Sequence, residues 1–237
     1  LCPHGHWSDA RFYDAGDVAA RKSVASGGER FISAARNHIQ ARCVQLARMG
    51  CIAFFYDMTG NCDSIQIGHR PDKSDHLDTP EHWGFLSVQA ELRLQNMMGL
   101  QTWNSVRAID FLQELSDVDD KRIGVTGASG GGTQSMIIAA IDERITAAMP
   151  CVMVSTSMQG GCTCENAPLM RIGQGNIDIA AAIAPRPLGL TAADDWTKEL
   201  ETKGYPALQN LYAMLGHQDR LTAVFHTHFP HNYNHVN

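Results

Sequence analysis

The chain has 237 residues, 44% of them hydrophobic and 19% charged, which is enough for one domain with a sizeable core. Asp and Glu number 25 against 19 Lys and Arg, so the formal charge is −6 and the pI near 6.0; this excludes an electrostatic nucleic-acid binder, and the composition excludes disordered and fibrous chains. No apolar run approaches the roughly 18 residues of a membrane-spanning helix.

The chain opens on Leu1-Cys2-Pro3, read as a short sheet strand that runs into His4-Gly5-His6-Trp7. Phe31, Ala35, Ile39, Cys43, Leu46 and Met49 recur at helical spacing and predict one helix, with Gly50 suited to its C-cap. Residues 51–56 are a continuous apolar run, the pattern of a parallel strand buried on both faces. Leu100, Trp103, Val106, Ile109 and Leu112 predict a second helix, followed by a polar turn at 117–121 and a strand at 122–126. Further strands are expected at 147–154, 187–191 and 221–225, and further helices around 133–141 and 206–215. No internal repeat or linker interrupts this alternation. It predicts an α/β fold, a mostly parallel sheet with helices on both faces, in a single domain over residues 1–237.

In such sheets ligands gather beyond the carboxyl ends of the strands. The segment after the 122–126 strand reads Gly127-Ala128-Ser129-Gly130-Gly131, a G-x-S-x-G nucleophile elbow. A serine on so tight a strand-to-helix turn needs small neighbours, and its Oγ then stands at a helix N-terminus where negative charge is favoured. The pentapeptide alone is a weak signal, and the strand before it and helix after it strengthen it. A dinucleotide-binding glycine loop is the rival reading. Against it, Thr133 stands where a final Gly is wanted, the motif lies past mid-chain, and no Tyr is followed four residues later by Lys. A glycine-rich turn without chemistry is the third.

A serine nucleophile needs a base, and the base an orienting carboxylate, in the chain order Ser, acid, His. Asp194 and Asp195 follow the next-to-last strand and His231 the last; spacing leaves the two aspartates open, while Asp219 falls at the wrong end of the sheet. The backbone N–H groups of Gly130 and His6 are the candidate oxyanion donors, with Gly5 letting the chain turn so that the His6 amide points inward. His226, His228, His231 and His235, joined by His4 and His6, raise a metal-dependent hydrolase as an alternative. No carboxylate-rich loop accompanies them, and a serine elbow would be superfluous beside a metal, so no metal is expected. Trp7, Trp83, Trp196 and Met58 are candidates for pocket walls or core. Seven cysteines make an odd count, and Cys162-x-Cys164 is too tight for a typical ligand pair; it reads as a loop disulfide partner or as nothing.

Together CPHGHW, YDMTGNCDS, GVTGASGGGTQ, GGCTCEN, IAPRPLGLTAADDWT and FPHNYNH resemble the α/β-hydrolase superfamily, specifically bacterial acetyl xylan esterase-like hydrolases related to dienelactone hydrolases. The resemblance implies Asp195, directly before Trp-Thr, as the triad acid and His231, opening His-Asn-Tyr-Asn, as the base. It implies a cofactor-free serine esterase acting on small acyl esters or acetylated plant polysaccharides, in the periplasm or outside the cell. Dienelactone hydrolases proper carry Cys where Ser129 stands, and glucuronoyl esterases carry Arg where Gly130 stands. The family pattern also places strands ahead of Leu1 and a helix after Asn237. A catalytically inactive or binding-only relative is the alternative from a different class, and oligomeric state is not readable.

Overall fold

The described residues of this computed structural model are 1–237 other than 8, 68, 70–87, 167, 227 and 237, and Trp83 lies outside them. Four strands, β1 (Ile123–Ala128), β2 (Ile145–Cys151), β3 (Leu188–Ala193) and β4 (Leu221–His226), form one sheet in the order β1-β2-β3-β4, with every pair parallel. The carboxyl ends are in register. Ala128 faces Cys151, Cys151 faces Thr191, and Ala193 faces His226, so the residues that follow β1, β3 and β4 emerge along one edge.

Eight helices are described: α1 (Gly16–Ala25), α2 (Ile32–Arg36), α3 (His38–Arg48), α4 (Val88–Glu91), α5 (Met97–Gln113), α6 (Gly130–Ile141), α7 (Asn176–Ala181) and α8 (Gly204–Met214). The helix α6 packs on β1 and β2, α5 and α7 pack on α6, and α8 packs on β4. Nearly every residue of α6 is buried, polar Thr133, Gln134 and Ser135 included, so the helix is covered on all sides. Its C-terminal end finds a side-chain cap: the Arg186 guanidinium donates to Ala139 O at 2.5 Å and Asp142 O at 3.1 Å, and also reaches Ile145 O at the start of β2 at 2.7 Å. The core runs from Val125, Ile145 and Leu190 of the sheet through Met136 and Ile138 of α6 to Ile109, Leu112, Leu208 and Tyr212.

Two expectations from the residue pattern are corrected. The single helix expected over 31–49 is two, α2 and α3, broken at Asn37 (φ −133°, ψ 82°). Asn37 Oδ1 accepts the Gln40 N–H at 2.9 Å, so the residue that ends one helix caps the next. The expected strands at 1–3 and 51–56 are extended segments with too few ladder bonds to be regular strands. They still continue the sheet beyond β1: Leu1 N donates to Gly124 O at 2.8 Å, Thr126 N to Leu1 O at 3.0 Å, and Cys2 N to Phe54 O at 2.9 Å. Gly50 follows α3 at φ 89°, the left-handed position that a C-terminal glycine serves. No helix among the described residues is long and apolar enough to cross a membrane.

Candidate active site

Ser129 lies between β1 and α6 with φ 57° and ψ −128°, a backbone region that costs about 1–3 kcal/mol for a residue with a side chain. Surrounding structure holds it there. Ser129 N donates to Cys151 O at 3.2 Å, and Thr133 N donates to Ser129 O at 3.0 Å to start α6. Close approach explains the flanking glycines. A Cβ on Gly127 or on Gly131 would stand 2.5 Å from the Pro3 carbonyl oxygen, a backbone atom that cannot swing away.

The loop after Pro3 is pressed against this elbow. A Cβ on Gly5 would lie 2.8 Å from Ser129 Cβ and 2.6 Å from Trp7 Cζ3, so only glycine lets the loop pass between them. Neither His6 N–H nor Gly130 N–H donates a hydrogen bond among the described residues, and the first N–H groups of a helix have no acceptor within it. The His6 ring also closes over Gly130: its Cε1 would be 3.1 Å from a Cβ there, with Glu165 Oε1 at 3.3 Å. A larger residue after Ser129 would have to displace both. Buried His4 ties this loop to the next one, its Nδ1–H donating to Gly5 O at 2.8 Å while Nε2 accepts the Met58 N–H at 2.9 Å. Burial pushes the His4 pKa down to about 4, which keeps the ring neutral.

Of the two aspartates left open by spacing, the structure brings Asp195 to His231. Asp195 Oδ2 accepts from His231 Nδ1 at 2.7 Å, and Oδ1 accepts from Thr197 N at 2.6 Å and Thr197 Oγ1 at 2.5 Å. Burial, the largest single influence, raises the Asp195 pKa, but the hydrogen bonds from His231 and Thr197 together outweigh it and hold the carboxyl below its usual range. Asp194 is exposed, and its backbone N–H donates to Phe229 O at 2.9 Å, linking the acid loop to the histidine loop. Asp219 sits in the 3-10 turn Gln218–Arg220 ahead of β4. The His231 ring stacks near two indoles, with centroids 4.6 Å from Trp196 and 6.5 Å from Trp7. Among the described residues Ser129 Oγ and His231 share no hydrogen bond, a contact that in unliganded sites commonly tightens only with substrate.

Several further residues hold the segment that carries His231; Tyr233 and Thr126 stand inside quoted motifs without a role being readable there, and Arg42 and Glu29 lie outside any motif. Buried Tyr233 donates its hydroxyl to Thr126 Oγ1 at 2.7 Å, and Thr126 Oγ1 in turn donates to Met149 O at 2.9 Å. The Arg42 guanidinium lies 4.6 Å from the centre of the Tyr233 ring. Glu29 Oε1 accepts the His235 N–H at 2.9 Å. These contacts pin the segment that follows β4 to the sheet and to the α1–α2 turn. The remaining terminal histidines do not converge: His228 and His235 are exposed, and His226 lies edge-on to Phe229 at 6.5 Å. One group among the described residues is arranged as a metal site could be, and it uses none of them. It consists of His6, His69, Cys162 and Cys164. No disulfide joins any of the seven cysteines, so Cys162 and Cys164 are not bridged.

Residues 85–176 match the family described as glucuronyl esterase, fungi. The chain is similar to the solved structure of methylesterase BT1017, with a TM-score of 0.72 and 29% identity over 98% of this chain and 44% of that one. Acetyl esterase Axe7A of Xylanibacter ruminicola is 50% identical over 42 residues, 18% of this chain and 10% of its own length. YtaP of Bacillus subtilis (strain 168), named as a hydrolase, is 36% identical over 75 residues, 27% of this chain and 25% of its own. Each alignment thus spans less than half of the relative it matches.

Proposed function

From the α/β-hydrolase fold of this chain, and from a Ser129 elbow and an Asp195–His231 pair that follow strands ending at the same end of the sheet, we propose that it is a serine carboxylesterase that hydrolyses acyl esters, acetyl esters on xylan among them. The observation that carries the reading is the 2.7 Å bond between His231 Nδ1 and Asp195, because it decides which imidazole nitrogen is basic. With Nδ1–H committed to the carboxylate, Nε2 is left as the proton acceptor. His231 takes the Ser129 proton as Oγ attacks the acyl carbonyl. The N–H groups of Gly130 and His6 hold the resulting oxyanion, and the alcohol leaves with the proton from His231. Water deprotonated by the same imidazole then cleaves the acyl-enzyme, which returns the carboxylic acid and free Ser129. The names of the similar proteins support the substrate class, since they include an acetyl esterase and a methylesterase. A periplasmic or extracellular location, where polysaccharide is met, belongs to the same reading.

The test is hydrolysis of 4-nitrophenyl acetate and of acetylated xylan by the wild-type chain and by Ser129→Ala. Loss of a triad serine costs about 10⁴-fold or more in kcat, so the variant should keep its circular dichroism spectrum and lose measurable turnover. Undiminished turnover in that variant would remove Ser129 from the mechanism.

A further inference from the structure

The loop that brings His6 to the elbow meets three residues drawn from distant parts of the chain. His6 Nε2 stands 2.9 Å from His69 Nε2 and 3.1 Å from Cys164 Sγ, and Cys162 Sγ lies 3.6 Å from His69 Nε2. All four atoms fall within 4.8 Å of one another. His69, Cys162 and Cys164 are buried, with Met97, Leu100 and Ile67 packed around them.

The outer ring nitrogens face oxygen atoms. His69 Nδ1 lies 2.6 Å from the Thr59 carbonyl oxygen, so it carries a proton and donates, which leaves Nε2 as a bare lone pair. The Glu165 carboxylate, 3.4 Å from His6 Nδ1, favours a proton there and leaves the His6 Nε2 bare as well. Two such lone pairs facing each other at 2.9 Å repel. Thiol protons from Cys162 and Cys164 would satisfy each nitrogen singly and leave that opposition in place. A shared cation removes it.

We propose that His6, His69, Cys162 and Cys164 bind one zinc(II) ion, which holds the His6 loop against the Ser129 elbow. Two imidazoles and two thiolates are a common structural zinc set, and bonds near 2.0–2.1 Å to nitrogen and 2.3 Å to sulfur place tetrahedral ligand atoms about 3.3–3.8 Å apart. The separations of 2.9, 3.1 and 3.6 Å are close to that spacing; the shorter ones need small outward shifts, and the wider pairs, none beyond 4.8 Å, inward shifts of up to about 1 Å. The supporting groups fit too, because metal-bound histidines ordinarily turn their other N–H to a carbonyl or a carboxylate: His69 Nδ1 bonds the Thr59 carbonyl, and the Glu165 carboxylate stands 3.4 Å from His6 Nδ1. The tight Cys162-x-Cys164 spacing works because residues Thr163–Glu165 form a 3-10 turn, fixed by Cys162 N donating to Glu165 Oε2 at 2.9 Å and by Asn166 Nδ2 donating to Cys162 O at 2.6 Å. Four protein ligands close the coordination sphere, so the ion braces the loop and does not activate water. The existence of the site is independent of the esterase reading. Only its consequence for catalysis, a fixed His6 N–H at the oxyanion, rests on that reading.

Elemental analysis of tag-free protein grown with zinc tests the site directly. One zinc per chain is expected in the wild type and in Ser129→Ala, and none in the double variant Cys162→Ser, Cys164→Ser. Because Ser129→Ala keeps its zinc whether or not the chain is an esterase, failure of one reading is visible apart from the other. Cobalt(II) substitution of the wild type covers the case in which the double variant fails to fold. Tetrahedral d–d bands and a thiolate-to-cobalt charge-transfer band are expected. Stripping the ion should lower the melting temperature, and should lower kcat with KM little changed. Folded wild-type protein that holds no zinc and takes up neither metal, or that carries a Cys162–Cys164 disulfide by mass, overturns the proposal.

Discussion

Asp195→Asn isolates the tautomer argument from the rest of the site. Oδ1 of Asp195 accepts two donors, Thr197 N at 2.6 Å and Thr197 Oγ1 at 2.5 Å, while Oδ2 accepts one, His231 Nδ1 at 2.7 Å. An asparagine must therefore keep its carbonyl oxygen toward Thr197, since an NH2 there would face two donors. Its NH2 then faces His231 and donates, which forces Nδ1 to accept and moves the ring proton to Nε2. A protonated Nε2 cannot receive the Ser129 proton. Loss of the right tautomer in a triad costs about 10⁴-fold in kcat, which is about 5.5 kcal/mol of transition-state stabilisation. The number of hydrogen bonds is conserved, so the melting temperature should shift by no more than a few degrees and KM should change little. The assay is steady-state hydrolysis of 4-nitrophenyl acetate at neutral pH, with thermal unfolding followed in parallel. A variant within about 10-fold of wild-type kcat would refute the account of His231, because a change of that size needs only about 1.4 kcal/mol.

Three further outcomes follow from the packing and the buried histidines. Gly131→Ala puts a methyl 2.5 Å from Pro3 O and 2.8 Å from His4 C, both backbone, so it should destabilise the fold by about 1–3 kcal/mol and displace the His6 loop; urea unfolding unchanged from wild type would contradict this. Tyr233→Phe removes the donor to Thr126 Oγ1 and should cost about 1 kcal/mol in the same assay, with a larger proportional loss in kcat than in stability because the His231 segment loosens. Burial holds His4 and His38 at pKa values of about 4 in the folded chain, against 6.5 for the free side chain. The unfolded chain therefore binds more protons between these values, and stability present above pH 6.5 is lost as pH falls toward 4, by about 3 kcal/mol at most for each ring. Stability that stays level from pH 7 to 4.5 would contradict the neutral burial of these rings.

The strand ends were legible because their chemistry is local. A glycine-flanked serine, an Asp-Asp-Trp turn and a His-rich close each follow an apolar run, and the parallel order β1-β2-β3-β4 brings those ends to one edge. Spacing leaves Asp194 and Asp195 open, and only the resemblance at Asp-Trp-Thr points to Asp195, because the pairing with His231 depends on which carboxylate faces inward once Asp194 N has bonded to Phe229 O. The break at Asn37 was hidden because apolar spacing continues through it, and only the capping side chain marks the stop. Cys162-x-Cys164 is tighter than a typical ligand pair, so its spacing alone marks no metal site. Its partners, His6 and His69, are contributed by loops near the other end of the chain, and no spacing rule joins residue 69 to residue 162. Tyr233, Arg42 and Glu29 were missed for the same reason, as their role is contact and not composition.

The central claim is that Ser129 is an activated nucleophile, and covalent labelling measures that most directly. A fluorophosphonate reacts with a serine only where a base and an oxyanion site assist the attack. Intact-mass analysis of the wild-type chain should show a single adduct, peptide mapping should place it on Ser129, and Ser129→Ala should take up none. A wild-type chain that stays unlabelled, or a Ser129→Ala chain labelled to the same extent, would contradict the account.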